Sequence, residues 1–214
     1  PDDIHKPISK LVALENTMNK GGGAIYTLDE IEPIAEFCKD NRLNLHLDGA
    51  RLFNALVETG EDPKEYGKYF DTISICLSKG LGAPVGSLLL FNGFPKQKVL
   101  RLRKVMGGGM RQAGILAAAG NFALDNHINR LRDDHERAKT LAEVLKQCAF
   151  VEDIYPVETN IVIFKVKNSQ EVVDRLADNG VKCITFSPVH VRMVTHLDFT
   201  DEMLNHTINM LKKL

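Results

Sequence analysis

Asp48 and Lys79 are the two side chains whose types and positions could do chemistry together. Asp48 follows the alternating apolar run 43–47, and Lys79 follows the β-branched run 72–77. Both runs read as strands, and ligands of open α/β sheets sit beyond the carboxyl ends of strands. A carboxylate and an amine placed there can converge on one ligand. Pyridoxal phosphate (PLP) chemistry needs that pair. A lysine amine bonds the cofactor's aldehyde, and a carboxylate keeps the pyridine nitrogen protonated so that the ring accepts electrons from a carbanion. Gly80 and Gly82, beside the lysine, would let the backbone approach such a cofactor closely. Each feature alone is weak: a lone lysine is mostly a solvated surface group, and Asp before Gly is mostly turn chemistry. Their common position at strand ends gives the reading its weight.

The elements that must hold these groups follow from periodicity and punctuation. Residues 11–14 read as a buried strand ending at the glycine loop 21–23. Thr27 and Glu30 have capping-box spacing and open a helix to about Lys39, in which Pro33 removes a hydrogen bond or introduces a kink. A helix is expected over 50–59 with Gly60 as its stop, a strand over 86–91, a helix over 96–105, and helical stretches with breaks over 112–147. This alternation implies a largely parallel α/β sheet with helices on its faces. The later segments read as strand 160–166, helix 170–179, strands 181–186 and 189–195, and helix 201–213, a small α+β unit. The boundaries expected are 1–125 for part of a large domain, 126–150 for a connecting helix and 151–214 for a small carboxy-terminal α+β domain.

Lys+Arg number 27 against 28 Asp+Glu, a balance that favours neither a nucleic-acid partner nor an acidic membrane surface. Cys38, Cys76, Cys148 and Cys183 are scattered without a Cys-x-x-Cys pair, so neither a disulfide framework nor a zinc site is expected. Cys76 and Cys183 lie in apolar runs and are expected to be buried, a usage that suits the cytoplasm. No stretch approaches the apolar length that spans a bilayer. The opening residues, Pro1 to Pro7, read as the middle of a longer chain.

Four segments together resemble the low-specificity L-threonine aldolases, PLP enzymes of fold type I: HLDGARLFNA at 46–55, ICLSKGLGAPVGS at 75–87, RKVMGGGMRQ at 103–112 and VRMVTH at 191–196. The resemblance covers nearly the whole chain. It implies the later half of a fold type I large domain plus a small domain, and aldol cleavage of L-threonine or L-allo-threonine to glycine and acetaldehyde. Lys79 would bond PLP, Asp48 would pair with the pyridine nitrogen, and Arg51 would lie near the cofactor. Arg192 would hold the substrate carboxylate, since a planar guanidinium grips a carboxylate through two parallel bonds. Lys104 and Arg111 would reach the cofactor phosphate or substrate of a neighbouring subunit, implying a homodimer or homotetramer. His5 would accept or orient the substrate hydroxyl proton. Asn16 and Thr17 match a strand-ending ENT that lines the site, but Met18 stands where the family often has histidine, which puts that histidine's contribution in doubt. His127, His135 and His206 read as solvated positions on polar helices, and His46 as a core or supporting residue.

The family carries a phosphate-binding turn and a histidine that stacks on the cofactor ring ahead of the matched region, and neither is among these residues. The chain is therefore expected to be a fragment, inactive alone and with apolar sheet surface left open. The alternatives are another fold type I enzyme, either a β-eliminating lyase or an aminotransferase, and a non-catalytic fragment acting as an assembly partner.

Overall fold

In the computed structural model, which describes residues 4–214, the alternating run becomes strand β2 (Asn44–Asp48). Leu45 and Leu47 point into the core, while His46 turns the other way and bonds Thr72 Oγ1 through Nδ1 at 2.7 Å. β2 lies between β1 (Leu11–Glu15) and β3 (Thr72–Cys76), parallel to both, and β4 (Ser87–Phe91) runs antiparallel to β3. Parallel neighbours require crossovers. Helix α1 (Leu28–Asp40) supplies the first, and α2 (Leu52–Thr59) with α3 (Pro63–Tyr69) the second. The sheet is mostly parallel, as the alternation of elements implied.

Local chemistry sets the helix ends. Glu30 reaches back to accept from the Thr27 backbone N–H at 2.9 Å, and α1 runs on through Pro33 to Asp40. Gly60 takes φ 74°, a left-handed stop that a glycine adopts without strain. Helix α3 was not anticipated, although its start is written in Asp62-Pro63. Asp62 accepts from Lys64 N at 2.9 Å, and Pro63 fills the first helical position, where a missing N–H is harmless. Its Tyr66 is fully buried and donates to Glu61 at 2.7 Å.

Helices α4 (Lys96–Val105), α5 (Gly114–Asn126) and α6 (Leu131–Leu145) follow. The helical stretch over 112–147 breaks between α5 and α6, and α6 is the helix within 126–150. His127 ends α5, with its N–H returning to Ala123. The second sheet is antiparallel, in the order β5 (Asp153–Ile154), β6 (Ile161–Lys165), β8 (His190–Val194), β7 (Ile184–Ser187). It is covered by α6, α7 (Ser169–Asp178) and α8 (Asp201–Leu211), which pack Leu141, Leu145, Leu176 and Leu211 with Val162, Phe164 and Val191. The other face of β6 is closed by the loop after β1, where Gly22 lies against Tyr155 and Ile163, and Gly23 against Thr159 and Ile161. That loop joins the two sheets: Thr159 Oγ1 donates to Gly23 O at 2.8 Å, and Ile25 N to Glu158 at 2.9 Å.

Three expectations are corrected. β1 is an edge strand with Leu11 54% exposed, because among the described residues no strand pairs with its outer side. Cys76 and Cys183 are only half-buried: β3 turns Ile73 and Ile75 inward and Cys76 outward, and Cys183 precedes the edge strand β7, leaving Cys38 as the buried thiol. His135 is fully buried, and His127 is half-buried with its Nδ1 on Leu81 O, rather than solvated. Apolar surface is open as expected. β4 shows Leu88, Leu89 and Leu90 on both of its faces, and α4 buries no residue.

Candidate active site

The register of the first sheet aligns Glu15 and Asp48, at the carboxyl ends of β1 and β2, with Ser74 in the middle of β3, which runs on to Cys76. Asp48 is exposed there, and its Oδ1 accepts from Ala50 N at 3.1 Å, which shapes the turn into α2. Lys79 stands exposed in the turn after β3. That turn closes through Gly82 N on Lys79 O at 2.9 Å and Ala83 N on Leu77 O at 2.9 Å. The fold itself requires the adjacent glycines. Gly82 has φ +71°, and a Cβ on Gly80 would lie 2.8 Å from Leu131 Cδ2.

Arg51, at the amino end of α2, and Arg192, on β8 of the second sheet, are both half-buried. Burial pulls the Arg51 guanidinium below its ordinary pKa, opposed by Glu15, Cys76 and Asp48. Arg192 is lowered by burial and then by Arg51 itself. Both stay cationic at neutral pH, so Arg51, which lies beside Asp48 at the start of α2, and Arg192 on β8 act on one another as like charges. That arrangement is costly unless an anion lies between them. Arg192 donates to Asn19 Oδ1 at 2.8 Å, while its Nε is buried without a partner. Arg192 lies on an interior strand, since β8 runs between β6 and β7.

Asp48 thus ends β2, Arg51 opens α2 and Lys79 lies in the turn after β3, while Arg192 sits in the middle of β8 and interacts with Arg51. His5 is exposed ahead of the opposite, amino end of β1. Asp2 and Asp3, which precede it, lie outside the described residues. Lys104 ends α4 and Arg111 precedes α5, and both are exposed beside an uncovered apolar surface of Leu102, Val105, Met106 and Met110. Asn16 is buried and holds the Tyr26 backbone, donating to Tyr26 O at 2.8 Å and accepting from its N–H at 3.2 Å, so its side chain is a clamp. Thr17 Oγ1 is buried and unpaired. Asn19, Asn54, His127 and His135 were not singled out as site residues. Each acts through a partner distant in sequence, and local spacing carries no signal for that.

The sequence profile of the beta-eliminating lyases matches residues 1–169. The chain belongs to the beta-eliminating lyase family. It is 44% identical over 206 residues to the low specificity L-threonine aldolase of Escherichia coli strain K12, covering 95% of this chain and 60% of that relative. A probable low-specificity L-threonine aldolase 2 of Arabidopsis thaliana is 38% identical over 218 residues, 99% of this chain and 61% of the relative. The chain thus spans about 60% of the length of these curated relatives. Among solved structures, the Leishmania major threonine aldolase superimposes with a TM-score of 0.81 at 24% identity, over 99% of this chain and 63% of that one, which shows the fold type I architecture. Members of the family are PLP-dependent. The donor set fits the ring end of that cofactor: an amine and a carboxylate on adjacent strand ends, with two guanidiniums, one carrying an orphaned buried N–H, for the anionic groups around it.

Proposed function

We propose that this chain supplies the amine, the ring-nitrogen carboxylate and the carboxylate-binding arginine of a PLP-dependent aldehyde lyase that cleaves L-threonine or L-allo-threonine to glycine and acetaldehyde. The observation that carries the proposal is the pair of half-buried cations, Arg51 at the start of α2 beside Asp48 and Arg192 on β8 of the second sheet, which act on one another. PLP, when bound, supplies the electron sink that takes up the pair of the breaking carbon–carbon bond. Lys79 offers the amine that bonds its aldehyde carbon, and Asp48 offers the carboxylate for its ring nitrogen. Arg192 fixes the substrate carboxylate through its free Nε and a terminal nitrogen, with Asn19 holding the guanidinium from behind. Fixing the carboxylate selects which bond at the α-carbon stands perpendicular to the ring, so orientation does the catalytic work. The family resemblance, and not its place ahead of β1, gives His5 the proposed role of accepting the hydroxyl proton that leaves as the bond breaks.

The reading includes a large-domain portion at 1–125, a connector at 126–150 and a small domain at 151–214. It also includes a homodimer or homotetramer in which Lys104 and Arg111 serve the neighbouring subunit, and a cytoplasmic location. The open faces of β4 and α4 support an assembly. No helix of the described residues is long and apolar enough to cross a membrane. With β4 uncovered, the 214-residue chain alone is expected to show no turnover.

The test is borohydride reduction with PLP followed by peptide mapping, in the intact protein and in the 214-residue chain. A pyridoxyl adduct confined to Lys79 and lost in Lys79→Ala is expected in the intact protein, with acetaldehyde and glycine formed from threonine. Scattered labelling there, or ammonia or a keto acid as product, would overturn the proposal.

A further inference from the structure

The turn that carries Lys79 is braced from behind by the junction between α5 and α6. His127 Nδ1 donates to Leu81 O at 2.6 Å, and Phe122 meets the ring edge-on at 5.4 Å. In the second turn of α6, the fully buried His135 places Nε2 3.0 Å from Asn54 Oδ1. Asn54, itself 2% exposed, lays its amide against Gly80, 3.4 Å from the position of a Cβ there. Leu131 fills the remaining space beside Gly80. His127, Leu131 and Asn54 therefore meet Gly80, Leu81 and Gly82 directly, and His135 acts through Asn54. The same helix turn also reaches the second sheet: Thr195 Oγ1, on the segment just past Arg192, donates to Asp134 O at 2.7 Å. A buried imidazole is expensive to desolvate, and an apolar side chain would fill the space if packing were its only task.

We propose that His127 and His135 are positioning residues, which fix the turn bearing Lys79 relative to the strand bearing Arg192. The proposal rests on the assignment of Lys79 as the reactive amine. His127 acts through Nδ1 on the Leu81 carbonyl. His135 acts through Nε2 on Asn54, while its Nδ1 faces Glu58, which is also paired with Lys139 at 2.7 Å. The geometry gives a chemical signature. Asparagine places its amide nitrogen where histidine has Nδ1, and glutamine places it where histidine has Nε2. His127→Asn and His135→Gln therefore keep the brace, whereas His127→Gln and His135→Asn break it.

The intact protein and these four variants are compared in two ways. Amide hydrogen exchange is read at Gly82 and Ala83 without PLP, and the rate of borohydride-trapped PLP labelling is read at Lys79. The brace-breaking variants are expected to exchange about two- to tenfold faster at those amides, the ratio that loss of one hydrogen bond gives. They should label more slowly in the same order, while the brace-keeping variants follow the wild type. Equal behaviour of Asn and Gln at each position, or acceleration spread evenly over the whole chain, would overturn the proposal and leave the histidines as packing. Because exchange is read without cofactor, a wild type that takes no label at Lys79 would sink the cofactor assignment separately.

Discussion

Replacing Gly80 with alanine puts one methyl group into a space that has no room for it. Carbon–carbon contacts settle at about 3.5–4.0 Å. The new Cβ would lie 2.8 Å from Leu131 Cδ2, an overlap of about 0.7 Å on that scale. Leu131 is fully buried and cannot swing into solvent, and the amide of Asn54 closes the other side. Gly80 is not among the positive-φ glycines, so the effect is one of space alone. Overpacking of this kind costs about 1–3 kcal/mol. In a chain of this length each kcal/mol lowers Tm by about 2–4 °C. The turn is the part able to yield, and a displacement of about 1 Å next to a reactive group can cost up to about a hundredfold in rate. Gly80→Ala should therefore slow PLP labelling of Lys79 well beyond what its stability loss accounts for. Leu131→Val removes the colliding atom at its own cost of about 0.5–1.5 kcal/mol, the loss of one buried methylene. The double variant should then be more stable than the sum of the single changes by about 1 kcal/mol or more, a coupling well above the additivity error of distant sites. The assay is a denaturant double-mutant cycle with labelling measured on all four proteins. Strict additivity, or unchanged labelling in Gly80→Ala, would refute the claim that glycine is required because Leu131 and Asn54 occupy the space.

Two further outcomes follow from charge and burial. Arg192→Lys keeps a cation but loses the planar fork held by Asn19. Steady-state kinetics of the intact protein should show kcat/KM falling about tenfold or more, with KM for the amino acid raised and kcat lowered as well, because the bidentate contact both binds and orients the substrate, and an unchanged KM would argue against carboxylate binding. For pH dependence, burial lowers the pKa of His135 below its ordinary 6.5, against the raising effect of Glu58. The unfolded chain then binds the proton more tightly than the folded one. Stability is fully present above about pH 6.5 and declines as pH falls from there toward the folded pKa, by at most about 1.4 kcal/mol per pH unit for one proton. The lowered pKa of Glu58 acts in the same direction only below its ordinary value of 4.5, so between these pH values the slope belongs to the histidine. His135→Gln should flatten that slope in urea melts taken across the window, and an unchanged slope would show that another group titrates there.

Much of the frame was legible in one dimension. Alternation in 44–48 fixed which leucines enter the core, and with it the direction in which Asp48 leaves the sheet. Gly60 ended α2 because only a left-handed residue closes that turn cheaply. Four motif segments carried the family and the positions of Lys79, Asp48, Arg51 and Arg192. These signals survive in sequence because each rests on neighbours a few residues apart, where backbone geometry and residue type determine one another.

What the tertiary structure decided depends on contacts between distant parts of the chain. His135 sits on a helix with acidic and basic neighbours, which reads as solvated, yet α6 packs that turn against α2 and buries the ring on Asn54 and Glu58. That the space a side chain at 80 would take is filled by Leu131 and Asn54 is likewise visible only in the fold. The loop after β1 gave no sign that Asn19 would hold Arg192, because the two meet only once the second sheet has docked on that loop. Spacing along the chain fixes direction and period, whereas burial and partnership are set by which surfaces close over one another, and that is decided in three dimensions.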